Sequence, residues 1–253
     1  MKQTLLTNGI IAICLTLGLA ACEAPDPITQ VIEKNTEARG GADAIASVQT
    51  FQSRVQIVEP NFTLMGKYVA TRDGKMRIDV FAGDQRVFTE AFDGESGWQM
   101  FGDGTVADMT EAGAEILRIG IIKNLYGLSE MADLGVTVSY LGSEVIAGLS
   151  YEKVDLTFAN DYVTHYFLDS ETGLRIRQRD DVALHPDIDD TIQRFETVYS
   201  DFRTIGGVVY SFHDEKRDID TGELAQTTQV EEIIITVKLT RHFLKDPKAD
   251  FRV

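Results

Sequence analysis

The chain has 253 residues, with 40 acidic and 24 basic side chains giving a formal net charge of -16. Binding to nucleic acid or adhesion to anionic headgroups requires clustered Lys and Arg, so this balance excludes both as the source of function. Hydrophobic residues make up 43% of the chain, enough to build a sizeable core in one large domain.

The N-terminal segment carries one cation, Lys2, then an apolar run from Ile10 to Ala21 and small residues just before Cys22. A secretory signal needs a short positive region, an apolar stretch of about 7–15 residues and a small-residue cleavage site. All three are present, so residues 1–21 are predicted to be a signal peptide. A transmembrane anchor would need about 20 predominantly apolar residues; the run is shorter, and Pro25 and Pro27 would break any helical extension. Loss of 1–21 removes Cys14 and leaves Cys22 as the sole cysteine, so the folded part must rest on its hydrophobic core without an internal disulfide. Leu19-Ala20-Ala21-Cys22 resembles the lipobox of bacterial lipoproteins. That resemblance implies cleavage after Ala21, acylation of Cys22, a lipidated tether over 22–25, and membrane attachment through acyl chains rather than charge.

In the remaining chain, 26–253, Asp26-Pro27 supplies a helix N-cap and first turn. A helix is predicted from Ile28 through Ala38, ended by Gly40-Gly41, with a second short one from Ala42 to Val48. Strands follow at Val55–Glu59, Phe62–Thr71, Lys75–Phe81, Arg86–Phe92 and Gly97–Phe101, separated by Gly/Asp turns. Glu111 to Tyr126 is the other convincing helix, with Ile116, Ile119, Ile122 and Tyr126, joined by Leu117 and Leu125, close to the helical period. Strands resume at Val136–Leu141, Tyr151–Phe158, Tyr162–Leu168, Leu174–Arg179, Ile192–Phe202, Val208–Glu215 and Thr227–Leu239. From Lys238 onward five cations face Asp246 and Asp250, which reads as a solvated tail.

The alternation in these strands carries a further message. Val154, Leu156 and Phe158 share one side, with Lys153, Asp155 and Thr157 opposite. Between Tyr162 and Leu168, and again around Phe195 and Tyr199, both sides hold bulky groups. A sheet with one wet face alternates cleanly; partly apolar second faces indicate a curved sheet with helices or a ligand against its concave side.

Four segments carry a family resemblance: Phe92-Asp93-Gly94-Glu95-Ser96-Gly97-Trp98, Gly148-Leu149-Ser150-Tyr151, Leu168-Asp169-Ser170-Glu171-Thr172-Gly173-Leu174, and Tyr199-Ser200-Asp201-Phe202-Arg203 with Gly206-Gly207-Val208. In this order they resemble the motifs of the LolA/LolB-like outer-membrane lipoprotein carriers and receptors. The resemblance implies a mainly β fold with α: a curved antiparallel sheet, an incomplete barrel of about ten or eleven strands, with two or three helices covering its concave side. It also implies binding of acyl chains, of lipids or lipidated proteins, in an apolar cavity, and a periplasm-facing, lipid-anchored place at the outer membrane. Phe88, Phe92, Trp98, Ile116, Ile119, Ile122 and Leu125 are the candidate wall or lid residues. An envelope protein partner fits the same role, and a structural or interaction lipoprotein with a filled core is the alternative.

The acidic stretch Asp180 to Asp190 could hold calcium through its oxygens. Read from Asp187, however, it has no glycine at the sixth place and no glutamate at the twelfth, so a solvated hairpin loop is the preferred reading. The four histidines have no zinc spacing, and neither a nucleophile elbow nor a phosphate loop occurs. The expectation is a non-enzymatic protein with no catalytic residue, metal or cofactor.

Overall fold

A computed structural model describes residues 26–235 except Leu184. The predicted signal segment 1–21, Cys22 with its tether and the basic stretch from Lys238 lie outside the described residues. Helix α1 spans Pro27–Ala38; the Asp26 carboxylate accepts from the Ile28 N–H at 3.4 Å, and proline occupies the first turn. Gly40, at φ 112°, ends it in a conformation other residues avoid, and a Cβ there would strike the Gly207 carbonyl. Helix α2 follows over Ala42–Ser47.

The strands are β1 Thr50–Glu59, β2 Phe62–Thr71, β3 Met76–Ala82, β4 Gln85–Phe92, β5 Gly97–Phe101 and β6 Val106–Asp108, then helix α3 over Glu111–Leu125. After two 3-10 turns come β7 Thr137–Ile146, β8 Leu149–Thr157, β9 Val163–Asp169, β10 Arg175–Val182, β11 Gln193–Ile205, β12 Val208–Asp218 and β13 Leu224–Ile235. They form one open antiparallel sheet in the order β6-β5-β4-β3-β2-β1-β13-β12-β11-β10-β9-β8-β7. The sheet thus has 13 strands, more than the ten or eleven expected. The three exposed residues of β6 are too short to show a pattern, and β7 continues beyond Leu141 through a bulge between Tyr140 and Ser143.

Both turn motifs work as their sequences suggest. The Asp93 carboxylate accepts from the N–H groups of Glu95 and Ser96, at 3.1 and 3.0 Å. The Asp169 carboxylate accepts from Thr172 N–H at 2.7 Å, and Gly173 follows at φ 77°. That glycine lets α1 settle on the turn: Asn35 Nδ2 donates to the Gly173 carbonyl at 2.8 Å, and Lys34 Nζ to the Ser170 carbonyl at 2.6 Å.

The helix-covered face holds two hydrophobic clusters rather than one. The first gathers Phe51, Ala70, Met76, Phe92, Phe212 and Ile233 beneath α2 and the Ile121–Leu125 side of α3. The second places Val154, Leu156, Phe158 and Leu168 against Ile119, Leu128 and Met131. α3 presents apolar side chains to both, which accounts for aliphatics around more of its circumference than one stripe needs. Between the clusters the sheet floor turns polar and aromatic, and there packing leaves space.

Candidate functional site

A cavity of about 330 Å³ lies between the helices and the middle strands, at the seam of the two clusters. Its apolar wall includes Phe51, Val55, Ile78, Leu128, Met131 and Val230. Its remaining wall is not apolar. α1 supplies Asn35 and Arg39, the end of α3 supplies Lys123 and Asn124, and the sheet adds Arg175, Asp214 and the tyrosines Tyr68, Tyr166, Tyr199 and Tyr210. Such a site, mostly apolar with a few convergent polar groups, is the usual form of a small-molecule pocket.

Arg175 enters this cavity because of a β-bulge. In the β9–β10 ladder Arg175 faces Leu168 and Arg177 faces Phe167, so the register shifts at Ile176. A bulge re-aims side chains by inserting one extra residue. Arg177 and Arg179 therefore lie on the outer face, bonded to Glu196 at 2.6 and 2.8 Å. Arg175 turns inward, its guanidinium 4.5 Å from the Tyr166 ring centroid and 4.5 Å from that of Tyr199. It donates to Gln178 Oε1 at 3.0 Å, and the Tyr199 hydroxyl donates to the same oxygen at 3.1 Å. Arg39 donates to the Tyr126 carbonyl at 2.9 Å.

The electrostatics of the site follow from burial and from its cations. Burial, joined by the positive charge of Arg175, holds the Arg39 guanidinium below its ordinary range. Burial also opposes the charge on Arg175, but Tyr199, Tyr166 and Asp180 outweigh it and keep its pKa raised. Burial pushes the Tyr68 phenol up to about 12 and the Asp214 carboxyl above the usual carboxylate range. Beside the cavity, Lys123 lies 3.2 Å from Asp180, which also accepts from the Tyr162 hydroxyl and from Gln178. Burial would raise the Asp180 pKa, yet Lys123 and these hydrogen bonds bring it down to about 2.

None of the seven residues singled out in the sequence lines this cavity. Phe92 and Leu125 belong to the first cluster, while Ile119 belongs to the second and Ile122 packs against it. Ile116 is half-buried on α3. Phe88 lies against Phe101 and His185 at the far end of the sheet. Trp98 stands on the outer face, its ring 5.6 Å from the Arg77 guanidinium. The cavity residues Arg39, Arg175 and Lys123 were not singled out, because charged side chains at strand and helix ends read as surface. Tyr166 and Tyr199 did carry a signal, as bulky groups on strands without a clean wet face.

The acidic loop is not simply solvated. It crosses from the end of β10 to the other half of the sheet, where Asp187 accepts from the Thr110 N–H at 3.1 Å and from its hydroxyl. Thr110 is in turn the N-cap of α3. His185 Nδ1 lies 3.1 Å from Glu90 Oε1, and Gln99 Nε2 donates to that carboxylate at 2.9 Å. Among the described residues no group of three His, Cys, Asp or Glu side chains is placed to hold a metal ion. Nor is any helix there long and apolar enough to cross a membrane.

No protein-family model matches this chain, and no curated protein sequence does. Solved structures do share its fold. A DUF1329 family protein from Desulfovibrio piger superposes with a TM-score of 0.58 at 14% identity, over 87% of this chain and 98% of that one. A LolA superfamily protein from Nitrosomonas europaea gives 0.57 at 12% identity, over 87% and 97%. A domain from Vibrio parahaemolyticus, named for outer membrane lipoprotein sorting, gives 0.57 at 8% identity, over 85% and 95%. At these identities the likeness concerns the fold alone: this chain shares the fold of these three structures, one of them a LolA superfamily protein, which is the fold that the sequence motifs resemble.

Proposed function

We propose that this protein is a non-enzymatic lipoprotein of the bacterial envelope that carries or holds acyl chains, of lipids or of lipidated proteins, in the cavity beneath α1 and α3. The observation that supports it is the cavity itself, about 330 Å³ of space at the seam of two otherwise well-packed clusters. A filled-core structural protein has no reason to leave that space, since interiors pack to near-crystalline density. Each methylene buried there would contribute about 0.8 kcal/mol, so a chain can be held firmly yet released when the helices lift. The N-terminal segment ending in Cys22 and the LolA-like architecture agree with a lipid-anchored, periplasm-facing position, which we place at the outer membrane.

Mass spectrometry of lipids that co-purify with a soluble form beginning at Glu23 tests this reading. Stoichiometric acyl-bearing species are expected. A lipid-free protein that also takes up no added fatty acid or fatty alcohol would overturn the carrier role and return the filled-core alternative.

A further inference from the structure

The cavity contains two guanidinium groups that no carboxylate neutralises directly. Among the described residues, Arg39 and Arg175 make no ion pair within 4.0 Å, whereas Arg54, Arg72, Arg77, Arg177, Arg179 and Arg194 all do. Withdrawing a charge from water without a close partner is costly, and the half-buried Arg39 bears that cost, its pKa held down by burial. The two also repel, since the charge of Arg175 lowers the Arg39 pKa. Their hydrogen bonds go to neutral acceptors, Gln178 and the Tyr126 carbonyl.

A second observation lies beside them. The Tyr166 hydroxyl is buried and has no hydrogen-bond partner within 3.5 Å, although Tyr166 lines the cavity and stacks on Arg175. Buried hydroxyls are nearly always satisfied. A donor without an acceptor, next to two cations with no carboxylate within 4.0 Å among the described residues, defines the complement: a compact anionic group with several acceptor oxygens.

The nearby acids do not fill that role. Asp180 is committed to Lys123, Tyr162 and Gln178. Asp214 lines the cavity, but its carboxyl has its pKa raised by burial, and Lys216 stands two residues along the same strand face. With Lys123 paired to Asp180, Arg39 and Arg175 stand against Asp214 alone on the cavity wall, inside a chain whose overall charge is -16. The bulge at Ile176 alone brings Arg175 to this side.

We propose that Arg175, Arg39 and the Tyr166 hydroxyl bind the anionic headgroup, a carboxylate or a phosphate, of an amphiphile whose acyl body lies along Phe51, Ile78, Leu128, Met131 and Val230. This rests on the acyl-binding reading above and names the ligand class. Arg175 is held between two rings, its guanidinium carbon 4.5 Å from each centroid, and a guanidinium carries five N–H donors suited to such oxygens.

The test is calorimetric titration of the full chain with dodecanoate, dodecanol and inorganic phosphate, repeated on Arg175→Gln and Tyr166→Phe after a melting curve confirms each variant is folded. Charge-assisted hydrogen bonds of this kind imply about tenfold or greater preference for dodecanoate over dodecanol. R175Q is expected to bring dodecanoate down to the affinity of dodecanol, and Y166F to close part of the gap by removing one oxygen. Equal affinity of the native chain for the acid and the alcohol would overturn the headgroup site while leaving the acyl cavity standing. Binding of phosphate but of neither amphiphile would keep the anion site and overturn the acyl reading. Binding of none of the three overturns both.

Discussion

Arg72 and Tyr126 grip each other twice. The Tyr126 hydroxyl donates to the Arg72 carbonyl at 2.7 Å, and the Arg72 guanidinium lies 4.2 Å from the centroid of the Tyr126 ring. The same guanidinium donates to the carbonyls of Val48, Ile45 and Leu125, at 2.9, 2.8 and 3.1 Å, and to Glu130 at 2.6 Å. One side chain from the β2–β3 turn therefore caps both α2 and α3, the second of which helps to roof the cavity. Arg72→Ala is expected to destabilise the fold by about 3 kcal/mol, because several buried carbonyls lose their donor together. Arg72→Lys should recover little of it, since an ammonium cannot span this fork. Urea unfolding of the two variants, compared at equal slope, measures both effects.

Acid sensitivity should trace to Asp180. Its folded pKa, about 2, lies below the usual carboxylate value. A depressed carboxylate stabilises the fold above its unfolded pKa and loses that contribution as pH falls through the folded one. The stabilisation is therefore complete above about pH 5 and fades toward about pH 2, with a size of about 2 kcal/mol. Asp180→Asn should be weaker at neutral pH by that amount and show a flatter decline in acid. Denaturant midpoints measured between pH 7 and 3 would expose the difference.

The loop that joins the two halves carries an opposite dependence. His185 has its pKa raised, first by its hydrogen bond to Glu90. A raised histidine contributes fully below its unfolded pKa, about 6.5, and the contribution disappears as pH rises through the folded value. The loop should thus be held best in mild acid and loosen toward alkaline pH. His185→Gln should abolish the slope of melting temperature with pH over this window that remains after the Asp180 effect has levelled off. An unchanged slope in that variant would show that His185 does not govern it.

Membrane attachment should depend on one atom, the Cys22 sulfur. The acidic chain offers no electrostatic alternative, so Cys22→Ser should leave an unprocessed or released protein. Fractionation of envelope membranes settles the point: the same distribution and the same processed mass in the variant would defeat the lipoprotein assignment.

The sheet, its hairpins and the three helices were legible because each rests on local chemistry. Asp26-Pro27 starts a helix anywhere, Asp169 to Gly173 turns a chain anywhere, and Val154, Leu156 and Phe158 alternate plainly. The site was not legible in the same way. Arg175, Arg177 and Arg179 alternate along one strand, and only the register shift at Ile176 separates the first from the others. Ile119 and Leu125 looked like a lid, but α3 is shared between two clusters, so both are consumed by packing. The acidic loop looked solvated because its partners, Thr110 and Glu90, are 77 and 95 residues away in the chain.

The strand order has a bearing on how the molecule folds. Every ladder except one joins strands adjacent in the chain; the exception pairs Phe51 with Ile235 and runs the length of β1. Local hairpins close quickly, whereas a contact spanning nearly the whole domain must await loop closure. The segment β1–β6 and the segment β7–β13 are thus separate nucleating units, each able to zip outward from its own turns. Their association along β1 and β13 is the slow event, and it is the event that creates the cavity, whose floor includes Val55 of one unit and Val230 of the other. A ligand present in the refolding buffer would meet a complete binding surface only after that seam has closed.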